Sequence, residues 1–121
     1  MVEINIFRRA PNAISLAAGA VLFSEGDAGE LMYAVIEGQV NLTRRGQLIE
    51  AVGPGGILGE LALIDPAPRS ANAVAHLDSK VVPVDKKAFT FLVQEHPTFA
   101  LMVMGVMADR IRRANELRTH D

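Results

Sequence analysis

Between Ala13 and Asp85 the chain alternates short apolar stretches with glycine-bearing turns, and this punctuation constrains the fold more than any other feature. The stretches are Ile14-Ser15-Leu16, Val21-Leu22-Phe23, Leu31 to Ile36, Val40 to Thr43, Leu48 to Val52, Ala71 to Ala75 and Lys80 to Val84. Ala18-Gly19, Glu25-Gly26-Asp27, Glu37-Gly38, Arg45-Gly46 and Pro54-Gly55-Gly56 separate them. Segments this short read as strands, and their regular spacing predicts an antiparallel sandwich or small barrel of the jelly-roll (double-stranded β-helix) kind. After Asp85 the pattern turns helical, with Lys86 to Glu95 as one short helix and Pro97 opening a second that runs to about Arg118. The expected fold is mainly β with flanking helices: a single domain over residues 1–121, its β core at 13–85 and its C-terminal helices at 86–118. Residues 1–12 have no clear period and read as a lead, or a short helix ending in the Pro11-Asn12 turn.

The second helix is apolar almost all round at its start, which predicts a buried first half. Later it is amphipathic, with Met104, Met107, Ile111, Ala114 and Leu117 at spacings of three and four. Asp109, Arg110, Arg112, Arg113 and Glu116 fill the remaining surface as a solvated face, a lid over a ligand or a partner surface.

Several chemistries are closed by composition. The chain contains no cysteine, so it has no disulfide framework, thiolate metal site or thiol nucleophile. The uncharged apolar run from Phe99 to Ala108 is about half the ~20 residues a membrane helix needs, and Met1-Val2-Glu3-Ile4-Asn5 lacks a basic flank followed by an apolar signal core. A cytoplasmic protein without membrane insertion is the expectation. A formal net charge of −2 gives no overall attraction to nucleic acid, and direct nucleic-acid binding is not expected.

The informative stretch runs from Gly55 to Ala75, where glycines precede a short apolar segment and a lone arginine stands between a proline-rich turn and a strand. If Glu60 to Ile64 forms a helical turn, its free backbone N–H groups and its dipole favour an anion at the Gly59 end. Arg69 supplies the other half of a phosphate site, because a guanidinium can donate two parallel hydrogen bonds and stays charged. Glu60 would repel a bare phosphate, and a sugar hydroxyl is the natural donor to place against it. Glycine, Glu60 and Arg69 together point to a sugar phosphate.

From Leu58 to Ala75 this segment resembles the phosphate-binding cassette of cyclic-nucleotide-binding domains, the family of catabolite activator proteins, protein kinase A regulatory subunits and nucleotide-gated channels. Leu58, Gly59-Glu60, Ala62, Leu63, Arg69, Ser70 and Ala71 satisfy that pattern. Ala18-Gly19, Glu25-Gly26-Asp27 and Leu31 to Gly38 resemble the family's first signature, with Ala34 interrupting the larger side chains of a strand that forms part of the pocket wall there. The resemblance covers about Ala13 to Arg118. It implies a receptor for cAMP, with cGMP second, in which Glu60 accepts from the ribose 2′-OH and Arg69 pairs with the cyclic phosphate. Backbone amides near Gly59, Leu61 and Ala62 complete the phosphate nest, and Ser70 adds a hydroxyl to the phosphate or the base. Arg110, Arg112 and Arg113 are the candidate lid residues of a C-terminal helix that moves to signal occupancy.

Other classes fare worse. A cupin-type metal enzyme needs converging histidines, and His76, His96 and His120 have no metal-ligand spacing. No nucleophile motif or carboxylate pair suggests hydrolysis of a cyclic ester, so no catalytic residue, metal or cofactor is expected beyond the ligand. The chain stops at Asp121 without a helix-turn-helix segment, which leaves a stand-alone receptor or the sensor of a larger channel or regulator. A scaffold that binds a protein partner through Met102, Met104 and Met107, and a homodimer through the late part of the helix, complete the alternatives.

Overall fold

The computed structural model describes residues 4–65 and 67–119, so Pro66 of the cassette and His120 lie outside the described residues. Eight strands build the core: β1 (Ile14–Leu16), β2 (Val21–Phe23), β3 (Met32–Glu37), β4 (Val40–Arg44), β5 (Gln47–Val52), β6 (Ile57–Leu58), β7 (Asn72–Ala75) and β8 (Ser79–Val84). They form two antiparallel four-stranded sheets, ordered β1-β8-β3-β6 and β2-β7-β4-β5. The strand expectations hold apart from β6, which two apolar residues are too few to announce. A 3-10 turn at Glu60–Leu63 follows β6, and the helices α1 (Lys86–Glu95) and α2 (Thr98–Thr119) close the chain. Asp85 caps α1 by accepting from the Ala88 amide at 2.7 Å.

The two sheets differ in how they are covered. On β3 the side chains alternate between two cores, Met32 and Ala34 joining one and Val35 the other, with Tyr33 packed against the second. On β8, Val82 and Val84 join the first core and Val81 the second. β3 and β8 are therefore buried on both faces, which is why they read as nearly continuous apolar runs. The second core, Phe23, Val35, Val40, Val52, Leu58, Ala73 and Val81, lies between the sheets. The first core lies between its sheet, α2 and the N-terminal segment, and Phe7 meets Phe99 edge-on at 5.9 Å there. Ala34 thus gives up volume in the first core, which it shares with Ile57, Val82 and Phe99.

Two expectations need correction. Ile4 and Phe7 are core residues, so the N-terminal lead is a packing element; its apolar spacing is too short to show as a period. The face that α2 buries carries Phe99, Met102, Val103, Val106 and Met107, whereas Leu101, Met104 and Ile111 are 67%, 58% and 60% exposed and Ala114 is exposed as well. The first half of α2 is thus only partly buried. A helix apolar nearly all round offers more than one stripe at helical spacing, and packing against Phe7 and Phe89 selects the one that holds Phe99. The side chain of Leu117 lies outside those described.

Candidate functional site

The site is built where β6 ends. Gly59 takes φ +74 and turns the chain into the 3-10 segment, whose first amides have no partner inside the turn. A side chain at Gly59 would place its Cβ 2.6 Å from Arg69 Nη1 and 3.1 Å from the Leu31 carbonyl oxygen, so both the backbone and the close approach require glycine. Gly29 similarly leaves room for the Arg69 guanidinium. The Ala62 amide donates to Gly59 O at 3.1 Å, which closes the turn and removes Ala62 from the expected set of free donors. Leu61 is exposed beside it, and the amides of Glu60 and Leu61 remain at the turn's start.

Arg69 is fixed at its backbone by two hydrogen bonds to the loop before β3: its amide donates to Asp27 O, and its carbonyl accepts from the Gly26 amide, each at 2.8 Å. Its guanidinium lies 4.2 Å from the Phe23 ring centroid and donates through Nη2 to Leu31 O at 2.7 Å. Only 9% of the residue is exposed, and its Nε is buried without a hydrogen-bond partner. Burial pushes this guanidinium below its ordinary pKa, with Tyr33 and Asp27 opposing. Among the described residues no carboxylate forms an ion pair with Arg69. A buried cation held by aromatic rings and carbonyls, with a donor left over, is a site for an anion.

Glu60, 5% exposed, sits one residue past the Gly59 turn and accepts at Oε1 from Arg110 Nη1 at 2.6 Å. Arg110 reaches the site from α2 and also donates through Nε and Nη2 to the two oxygens of Glu50, at 2.9 and 3.2 Å, and through Nη2 to Ile57 O at 2.6 Å. Burial lowers its pKa, but the hydrogen bonds and charges of Glu50 and Glu60 outweigh it and the net direction is upward. Of the three candidate lid arginines, Arg110 alone contacts the cassette. Arg112 is exposed and pairs with Asp109 on its own helix, and Arg113 lies 3.5 Å from Glu50 Oε1. Ser70, next to Arg69, is exposed, and its carbonyl accepts from Arg44 Nε at 2.7 Å. A cavity of about 270 Å³ between β5, the loop after it and α2 is lined by Glu50, Val52, Ile57, Val106, Arg110 and Arg113, with Arg110 standing between it and the cassette.

Sequence reasoning missed Glu50, Phe23 and Gly29. Glu50 carried a signal, since it lies two residues before the core residue Val52, and alternate side chains of a strand share a face. His76 and His96 are exposed and belong to no metal-ligating group among the described residues. No helix there is long and apolar enough to cross a membrane.

Residues 13–96 match the cyclic nucleotide-binding domain family. The chain is 30% identical over 107 residues to a CRP-like cAMP-activated global transcriptional regulator of Mycobacterium tuberculosis, covering 84% of this chain and 48% of that one. It spans about half the length of the curated relatives it matches. The catabolite activator protein of Thermus thermophilus superposes with a TM-score of 0.78 at 31% identity, over 88% of this chain and 53% of that one. A structure described under a cyclic-GMP-dependent signalling pathway in bacterial phytopathogenesis superposes with a TM-score of 0.64 at 32% identity, over 90% and 85%. The two antiparallel sheets with their terminal helices, the glycine turn and the buried arginine therefore have one common explanation: the chain belongs to the cyclic nucleotide-binding domain family.

Proposed function

We propose that this chain is a non-catalytic receptor for a 3′,5′-cyclic purine mononucleotide, with cAMP ahead of cGMP. The observation that carries the reading is the buried Arg69 guanidinium, which has no carboxylate partner among the described residues and lies with Nη1 against Gly59, so that it calls for an anion beside the start of the 3-10 turn. The cyclic phosphate takes Arg69 and the amides of Glu60 and Leu61, the ribose 2′-OH donates to Glu60, and the Ser70 hydroxyl meets the phosphate or the base. The name of the Mycobacterium relative, a cAMP-activated regulator, favours the adenine ligand. Because Arg110 ties α2 to Glu60, a ligand that engages Glu60 shifts the balance of contacts holding α2, and movement of that helix is the signal.

Calorimetric titration with cAMP, cGMP and 5′-AMP tests the reading. Both cyclic ligands are expected to bind and 5′-AMP to bind far more weakly. Glu60→Ala is expected to weaken cAMP about tenfold and to affect 2′-deoxy-cAMP much less, since that ligand has no hydroxyl to donate. Absence of heat with every cyclic mononucleotide would overturn the assignment.

A further inference from the structure

Glu60 is not alone as a carboxylate at this site. Glu50 pairs across the ladder with Leu42, next to the Val40–Val52 pair, and so stands on the face of β5 that lines the inter-sheet core. It is 19% exposed at its side chain and is held from α2 by Arg110 and Arg113. Arg110 spends the Nε side of its fork on both Glu50 oxygens and one more donor on Ile57 O, which leaves Nη1 alone for Glu60. Among the described residues, Glu60 receives that single contact, at Oε1.

An unrestrained guanidinium beside a buried carboxylate takes both of its oxygens, because the bidentate pair is the stronger arrangement. Resting on the receptor reading above, we infer that Glu50 is a positioning residue for ligand recognition: by occupying the fork of Arg110, it keeps Glu60 Oε2 available to the ribose hydroxyl. Glu50 touches no ligand in this arrangement. Its charge decides whether Arg110 shares Glu60 with the nucleotide or competes for it. The same contact fixes where α2 lies over the site, since Arg110 is its charged link to the cassette.

The test compares cAMP with 2′-deoxy-cAMP on the full chain and on Glu50→Gln, which keeps the shape of the side chain and removes its charge. Wild type is expected to prefer cAMP. Glu50→Gln is expected to lose about tenfold in cAMP affinity and little for the 2′-deoxy ligand, so that the preference collapses. In an Arg110→Met background, with the competitor gone, Glu50→Gln is expected to leave cAMP affinity unchanged. Should that double variant fail to fold, the two-ligand comparison on Glu50→Gln decides. Equal weakening of both ligands would mean that Glu50 serves only to pack α2, and unchanged cAMP affinity would mean that it does nothing for binding; either overturns the inference while leaving the receptor reading intact. A wild type that binds no cyclic nucleotide overturns both.

Discussion

Arg69 and Arg110 are both largely buried guanidiniums within one site, and they are opposite in kind. Arg110 has carboxylates on two sides, a carbonyl on a third and a pKa raised by them. Arg69 has two aromatic rings, the carbonyls of Leu31 and Gly59 at 2.7 and 3.5 Å, a donor without an acceptor and a pKa lowered by burial. A cation whose pKa is depressed by folding costs stability at every pH where it is protonated, which for arginine is the whole accessible range. A cation whose pKa is raised contributes stability that is present below its unfolded value and lost only above its folded one, again outside accessible pH. Arg110 therefore stabilises the contact of α2 with Glu50 and Glu60, whereas Arg69 is maintained at a cost that, under the proposed function, a bound anion offsets.

The largest effect expected from this contrast is on binding. Arg69→Ala removes the counter-charge of the phosphate and is expected to cost about 2–4 kcal/mol of cyclic-nucleotide affinity, with Arg69→Lys recovering part, because an ammonium cannot reproduce the fork. The melting temperature of ligand-free Arg69→Ala is expected to stay level or rise. A large fall would show that Arg69 is structural and would erase the contrast. Next in size, Arg110→Ala leaves Glu60 without its cation and Glu50 with Arg113 alone. It is expected to destabilise the ligand-free fold by about 2–3 kcal/mol, less than a fully buried pair because Glu50 and Arg110 keep some solvent. Denaturant unfolding of the two variants side by side checks this, and equal stabilities would break the comparison.

The two arginines also differ in how far the sequence reveals them. Arg69 is legible because Gly59, Glu60 and Arg69 lie within one short stretch whose order carries the chemistry. The pieces that shape its environment, Phe23, Gly29 and Leu31, come from earlier in the chain and meet it only through sheet pairing and the loop before β3. Arg110 is one of three arginines spaced within a single helical turn, and spacing cannot say which faces inward. That choice depends on which stripe of α2 packs on the first sheet, and Phe7 from the N-terminal segment helps set it through Phe99. Strand positions were readable because glycine turns mark their ends, and β6 was not, because its two residues gain their strand geometry from pairing with Tyr33 and Ala34.

Neither arginine reads the base in the proposed arrangement, and the smallest effect follows from that. With Arg69 given to the phosphate and the fork of Arg110 given to Glu50 and Glu60, the group left near the cassette for discrimination is the Ser70 hydroxyl. A hydroxyl both donates and accepts, so it can serve either purine, and a single neutral hydrogen bond contributes about 0.5–1.5 kcal/mol. The preference for cAMP over cGMP is therefore expected to be under about tenfold, far below the effect of removing Arg69. Ser70→Thr keeps the hydroxyl but restricts its rotamer and adds a methyl group, and it is expected to move the ratio toward cGMP. Ser70→Ala removes the hydroxyl from both ligands and is expected to narrow the ratio without reversing it. Competition of cAMP and cGMP against one fluorescent cyclic nucleotide, run on wild type and both variants, measures all three ratios in one format. A wild type that binds cGMP as tightly as cAMP, or more tightly, would refute the adenine preference and place base reading on a residue other than Ser70.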